Sequence, residues 1–293
     1  MANRRTSRLE KEGLRLLARV WQVRCVVLLA IPYFVLLSWL FVGSSRMDLR
    51  PAEMFSIPET PVWEAPDESH WFGTTANGAD LFQLSRRAMG NSVAVAVVTS
   101  FLGICLALLL TSLFAFDADE KRFRPMFIVS RAGFLLPAMV VLVIFTGGAG
   151  GSLPVAMLGL IVVAGLHLAP VLAVWFQEGE KGPDVLAGFG LGLSRSHILA
   201  GRVVPKVLRR LVGVFAQLVP VVVLVEMALS FMGFTGDRLS CGAMVAYGRN
   251  SLLEAPWLAA CPGLLATAVV MILSLLGWLV AKATGSGSLP RIF

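Results

Sequence analysis

Long apolar runs separated by short polar stretches set the pattern of this chain. Six runs, at approximately 25–42, 93–116, 126–145, 153–176, 211–234 and 258–280, come close to the roughly 20 residues that an α-helix needs to cross a bilayer core. The pattern predicts an all-α membrane protein with six transmembrane helices and no second globular domain. The second run loses strict apolarity at "TSLFAF", which leaves open its division into two shorter pieces. The first follows a basic segment, but its apolar part is longer than the h-region of a signal peptide and "VGSSR" is a poor cleavage site. It is therefore expected to stay as an uncleaved signal anchor.

Composition agrees with this division. Only 15% of the 293 residues are charged and the mean hydropathy is +0.78, outside the range of a soluble domain. The formal charge of +7 would suit nucleic acid in a soluble protein, but in a membrane protein an excess of Lys and Arg reports topology first. With the N-terminus inside, the cytoplasmic face receives Arg4, Arg5, Arg8, Lys11, Arg15, Arg19, Arg24, Lys121, Arg122, Arg124, Lys181, Arg195, Arg202, Lys206, Arg209, Arg210, Lys282 and Arg291. The outer face receives Arg46, Arg50, Arg86, Arg87, Arg238 and Arg249, and Arg131 falls within the third span. The bias predicts N-in and C-in termini. It makes 1–24 a basic cytoplasmic segment, 43–90 an extracytoplasmic loop and 282–293 a cytoplasmic tail. The outer loop, with four prolines between Pro51 and Pro66 and with Trp63 and Trp71, is either a partner-facing surface or an inert solvated loop.

One polar interruption differs from the rest. The stretch "GPDVLAGFGLGLSRSHILAGRVVP", 182–205, is too polar to span and too apolar for a linker. Pro183 suits a first helical turn and Asp184 complements its positive end. Leu186, Phe189 and Leu193 would then form one apolar face, with Gly188, Gly190 and Gly192 leaving the opposite side thin. Each glycine costs such a helix about 1 kcal/mol relative to Ala, so docking to a partner is expected to supply what propensity lacks. The alternative is a helix lying on the lipid interface.

On these residues the stretch resembles the cytoplasmic EAA loop of binding-protein-dependent ABC transporter permeases. Ala187 and Gly188 take the two alanine positions, Gly192 the glycine and Pro205 the final proline. Two more segments are similar to the dipeptide, oligopeptide and nickel class of that family: "HWFGTTANGADLF" ahead of the second span, and "EMALSFMGF" followed by "GAMVAYGRNSLLEAPWLAACPGL". The likeness runs from His70 onward and points to the C-type permease subunit, with a type I importer bundle whose core would be 91–281.

The resemblance implies a role for each segment. The loop within 177–210 would be a coupling helix for a cytoplasmic ATP-binding subunit, through Asp184, Leu186, Ala187, Gly188, Phe189, Gly192, Ser194, Arg195 and Pro205. The outer segments would face the pathway or an extracytoplasmic substrate-binding protein, through Trp71, Gly73, Thr74, Gly78, Asp80, Glu226, Arg249 and Trp257. A B-type permease would complete a heterodimer, and no cofactor or metal is implied. The chain departs from the pattern at Leu186, where the family has Glu, at Ala79 for its Arg, and at Arg131 for its Asp. The segment between Gly233 and Gly242 is also short.

Glu226, inside the fifth span, is a functional candidate because intramembrane charge is expensive; it lines the pathway or takes a buried structural role. Arg131 is expected to snorkel to the interface. His167 has no acidic neighbour on its helix and is expected to be a hydrogen-bonded packing residue. Cys25, Cys105, Cys241 and Cys261 are scattered, with neither metal-ligand nor CxxC spacing. There is no GxxxxGK[ST], GxSxG or HExxH, so the energy for transport must come from elsewhere. A permease driven by separate ATPases is therefore expected. The rival readings are a degenerate permease kept as a membrane scaffold, and an ion-coupled carrier using Glu226 and His167.

Overall fold

The structure is a computed structural model that describes residues 31–32, 35, 63–115, 138–180 and 182–285. The first predicted span, the start of the third with Arg131, and the predicted tail beyond Gly285 lie outside the described residues, apart from Ile31, Pro32, Val35 and Lys282. The regular secondary structure of the described residues is helical, with a single isolated bridge between Thr74 and Asp80. In chain order the helices are α1 (Leu81–Ala115), α2 (Ala138–Gly148), α3 (Leu153–Glu180), α4 (Pro183–Gly190), α5 (Arg195–Ile198), α6 (Val204–Phe231), α7 (Cys241–Gly248) and α8 (Trp257–Thr284). Among them α1, α3, α6 and α8 are long and apolar enough to cross a membrane. At 28 residues α3 is about 42 Å long, more than the roughly 30 Å hydrocarbon thickness.

Two element boundaries move relative to the sequence pattern. The helix of the second run starts at Leu81, well ahead of Val93, because Asp80 caps it: Asp80 Oδ1 accepts from Phe82 N at 2.8 Å and Gln83 N at 3.3 Å. The helix of the fifth run starts before its apolar run, through a π-turn at Leu199–Val203. Pro205 explains that turn. It has no N–H for the Gly201 carbonyl, and the wider turn moves that carbonyl away from the ring.

α1 packs along α3, and α6 packs along α8 and α1, while the short α7 lies against α6 and α8. Close backbone approach between spans is possible only where a side chain is missing. A Cβ at Gly277 of α8 would come within 2.4 Å of Ala216 O on α6, so the two backbones touch there. Thr111 adds a polar tie, its hydroxyl lying 2.7 Å from Ala107 O and 3.1 Å from Ala169 O on α3.

Buried apolar side chains form two groups. The larger runs through α1, α6, α7 and α8 and includes Leu81, Met89, Leu229, Met244 and Leu273. The smaller joins α1, α3 and α6 to the interhelical loop and includes Trp175, Val185, Ile198 and Val207. The outward faces of the spans, with Phe101, Leu109, Val221, Met271 and Leu275 exposed, are as apolar as the core. Such faces require lipid or another membrane subunit.

Candidate functional site

The interhelical loop begins as the sequence suggests and then departs from it. α4 opens at Pro183 with Asp184 in its first turn, and Val185 N and Leu186 N donate to Gly182 O at 3.0 and 3.1 Å. Its buried side chain is Val185, 1% exposed. Leu186 is 63% exposed and Leu193 is also turned outward, with Ala187 and Ser194 exposed beside them. Gly188 is the close-approach position, since a Cβ there would meet Ile198 Cδ1 at 3.2 Å. Gly192 is not part of a thin helix side: it sits beyond the helix at φ +75°, and Leu193 N donates back to Gly188 O at 3.2 Å. This is a Schellman stop, a left-handed position where glycine avoids the Cβ penalty. Phe189 lies in the last turn of α4, Arg195 opens α5, and Pro205 lies in the first turn of α6.

Beside the loop, Arg210 of α6 bridges to α3. Its guanidinium lies 5.4 Å above the Trp175 ring and 3.4 Å from Glu178 Oε2. The ion pair is largely solvated and contributes little, so contact with the buried indole is the stronger tie.

At the opposite end, "GTTANGAD" folds as a pinned double turn. Glu64 N donates to Thr74 Oγ1 at 2.8 Å, Thr74 N to Glu64 O at 3.0 Å, and Leu81 N to Gly73 O at 3.1 Å. Trp257 Nε1, at the start of α8, donates to Thr74 O at 3.5 Å. Gly73 and Gly78 both hold φ +74°. Thr74 is therefore buried, Asp80 caps α1, and Trp257 is half-buried against the turn. Trp71, 70% exposed and tilted 5.8 Å from the Phe82 ring, and Arg249, 5.7 Å above the Phe231 ring, remain outward. In the preceding bend Asp67 accepts from His70 N, Ser69 Oγ and Ser69 N, and the first two of these bonds hold its carboxyl below the usual range.

Glu226 is 1% exposed in α6, and its Oε2 has no hydrogen-bond partner. Its surroundings include Ser92 of α1 and Arg238, two residues that sequence pattern alone did not single out. Arg238 had weight only as an outer charge, and nothing in "GNSV" sets Ser92 apart from other serines. His167 packs as expected, its Nδ1 donating to Val163 O at 2.8 Å. The four buried hydroxyl and thiol residues Ser230, Thr235, Ser240 and Cys241 gather where α6 ends and α7 begins. Ser230 Oγ bonds both Thr235 Oγ1 and Ser240 Oγ, and Ser240 caps α7 through Ala243 N at 3.1 Å.

No protein-family model matches the chain. Several curated relatives are peptide-system permeases. The oligopeptide transport system permease protein OppC of Mycobacterium tuberculosis H37Rv is 25% identical over 257 residues, covering 85% of this chain and 84% of that protein. The probable D,D-dipeptide transport system permease protein DdpC of Escherichia coli K12 is 31% identical over 216 residues, 70% of each chain. The chain belongs to this family of ABC transporter permeases. OppC of E. coli K12 agrees, at 27% over 245 residues, 80% of this permease and 76% of that one. The fold also matches two solved structures. An amino acid ABC transporter with histidines superposes with a TM-score of 0.56 at 10% identity, over 69% of this permease and 94% of that chain. The MetNI methionine ABC transporter in an inward-facing conformation gives 0.55 at 16%, over 70% and 97%. The permease is thus a multi-pass protein of the bacterial inner membrane and a membrane subunit of an ABC importer.

Proposed function

We propose that this permease is one half of the translocation path for peptides or a similar small solute, with six spans and both termini in the cytoplasm. The 1–24 segment and the 282–293 tail would be cytoplasmic, 25–42 the first span, 43–90 extracytoplasmic and 91–281 the core. A B-type permease supplies the other half, separate ATP-binding subunits drive it, and an extracytoplasmic binding protein delivers the solute to the face with Trp71 and Arg249. Nucleotide-driven approach of the ATPases pushes the loop within 177–210, and the paired bundles alternate their access.

The observation that carries this is the build of α4. Val185 and Ile198 anchor the loop in the inner apolar group, while Leu186, Leu191 and Leu193 stay exposed on its outer side. A force on those leucines reaches α3 and α6 through the anchors. Leu186 stands where the family has Glu, so the contact with an ATPase is apolar here instead of ionic. Leu186→Asp is expected to leave the yield of folded permease unchanged but to reduce co-purification of the ATP-binding subunits, and uptake of labelled peptide, by about tenfold, the loss of one central apolar anchor. Full co-purification with full uptake would refute this coupling role.

A further inference from the structure

The carboxyl of Glu226 is buried between spans, and Oε2 finds no donor. Ser92, on the facing side of α1, is equally buried, and its Oγ also lacks a partner. Ser92 lies beside the Glu226 carboxyl without closing a hydrogen bond of normal length and angle to it, so two under-satisfied groups sit in one place within the bilayer-spanning bundle. Buried polar groups left without partners are costly, and a charge more so. The cation within electrostatic reach is Arg238, half-buried in the segment that joins α6 to α7. It does not touch Glu226. Its Nη2 instead donates to Asn91 O at 3.3 Å, and Asn91 Nδ2 donates to Leu239 O at 3.0 Å. Arg238 is therefore held by the residue next to Ser92, within electrostatic reach of the Glu226 carboxyl.

We propose that Arg238 is a two-position positioning residue, bonded to Asn91 O in this arrangement and to Glu226 Oε2 in the alternate state of the transport cycle, where Ser92 Oγ completes the carboxylate's partners. The second position satisfies both groups that are unpaired here. It also ties α6 and α1 to the Met232–Ser240 segment, so the placement of α7 follows the choice made by the guanidinium. The inference rests on the alternating-access reading.

The test is a double-mutant cycle in the assembled transporter, using E226Q, R238Q and E226Q/R238Q, with R238K as the charge-keeping control. Thermal midpoints are measured with and without a non-hydrolysable ATP analogue, alongside uptake. The two single substitutions are expected to lower uptake about tenfold each, and the double variant no further than either, because each removes the same switched contact. R238K should stay near the wild type. The midpoint shifts should be non-additive, and the non-additivity should change when the analogue binds. Additive shifts in both states, or a non-additivity that nucleotide leaves unchanged, would overturn the two-position assignment. The midpoint cycle needs no transported solute. A wrong solute assignment silences uptake in the wild type as well and leaves the cycle readable.

Discussion

The double turn before α1 and the loop before α6 both carry residues of the family pattern, yet the chain uses them in opposite directions. Thr74, Gly73 and Asp80 point their bonding capacity inward, into Glu64, Leu81, Phe82 and the Trp257 indole. In the loop the equivalent prominence falls on Leu186 and Leu193, which face out, while the unremarked Val185 and Ile198 hold the segment to the bundle. One pattern is retained because it builds the end of a helix; the other presents a surface. A motif residue therefore says that a position is constrained, and only its surroundings say whether a fold or a partner constrains it.

The sharpest way to break this contrast is at glycines on the two sides. At Gly73 of the double turn, held at φ +74°, a Cβ would lie 2.5 Å from Glu64 O and 3.0 Å from Trp257 Nε1. Gly73→Ala is expected to destabilise by about 3 kcal/mol or to prevent assembly, measured as the thermal midpoint and yield of the purified complex. Gly190→Ala in α4 meets nothing within 4 Å and should stabilise by about 0.5 kcal/mol, by lowering the entropy of the unfolded chain. Equal losses at both positions would erase the distinction.

A smaller effect separates neighbours within the loop. Val185→Ala should cost about 2 kcal/mol through lost burial, whereas Leu186→Ala should change the midpoint by less than about 0.5 kcal/mol while weakening ATPase association. The smallest effect concerns Asp67. Its carboxyl is held below the ordinary 3.8, so its stabilisation of the bend is complete above that pH and disappears as the pH falls through the lower folded value. Asp67→Asn should therefore flatten the pH dependence of proteolytic sensitivity in this bend, by making the bend as sensitive at neutral pH as the wild type becomes in acid.

Legibility of structure in the sequence varies along the chain. The second, fourth, fifth and sixth apolar runs were legible as long helices because a run of apolar residues long enough to cross a bilayer has few other solutions. The start of α1 at Leu81 was less so, since capping by Asp80 extends a helix past the end of its apolar run. In the loop, periodicity placed Leu186, Phe189 and Leu193 on one face but had no means to say whether that face turns to the bundle or away. Gly192 read as a thin helix surface because its sign of φ is invisible in the sequence; the Schellman bond to Gly188 makes it the stop instead. Glu226 stood out by charge alone. Ser92 and Arg238 did not, because they come from other parts of the chain.

The sequence by itself determined the solvent of this protein, the approximate positions of its four long described helices and the family to which it belongs, because hydropathy and motif spacing are local properties. The tertiary structure alone decided which motif residues hold the fold and which remain outward, and it alone brought Glu226, Ser92 and Arg238 together. Those outcomes depend on which helix faces meet, and meeting is set by close backbone approach at positions such as Gly242 and Gly277, not by the apolar pattern that all four long helices share.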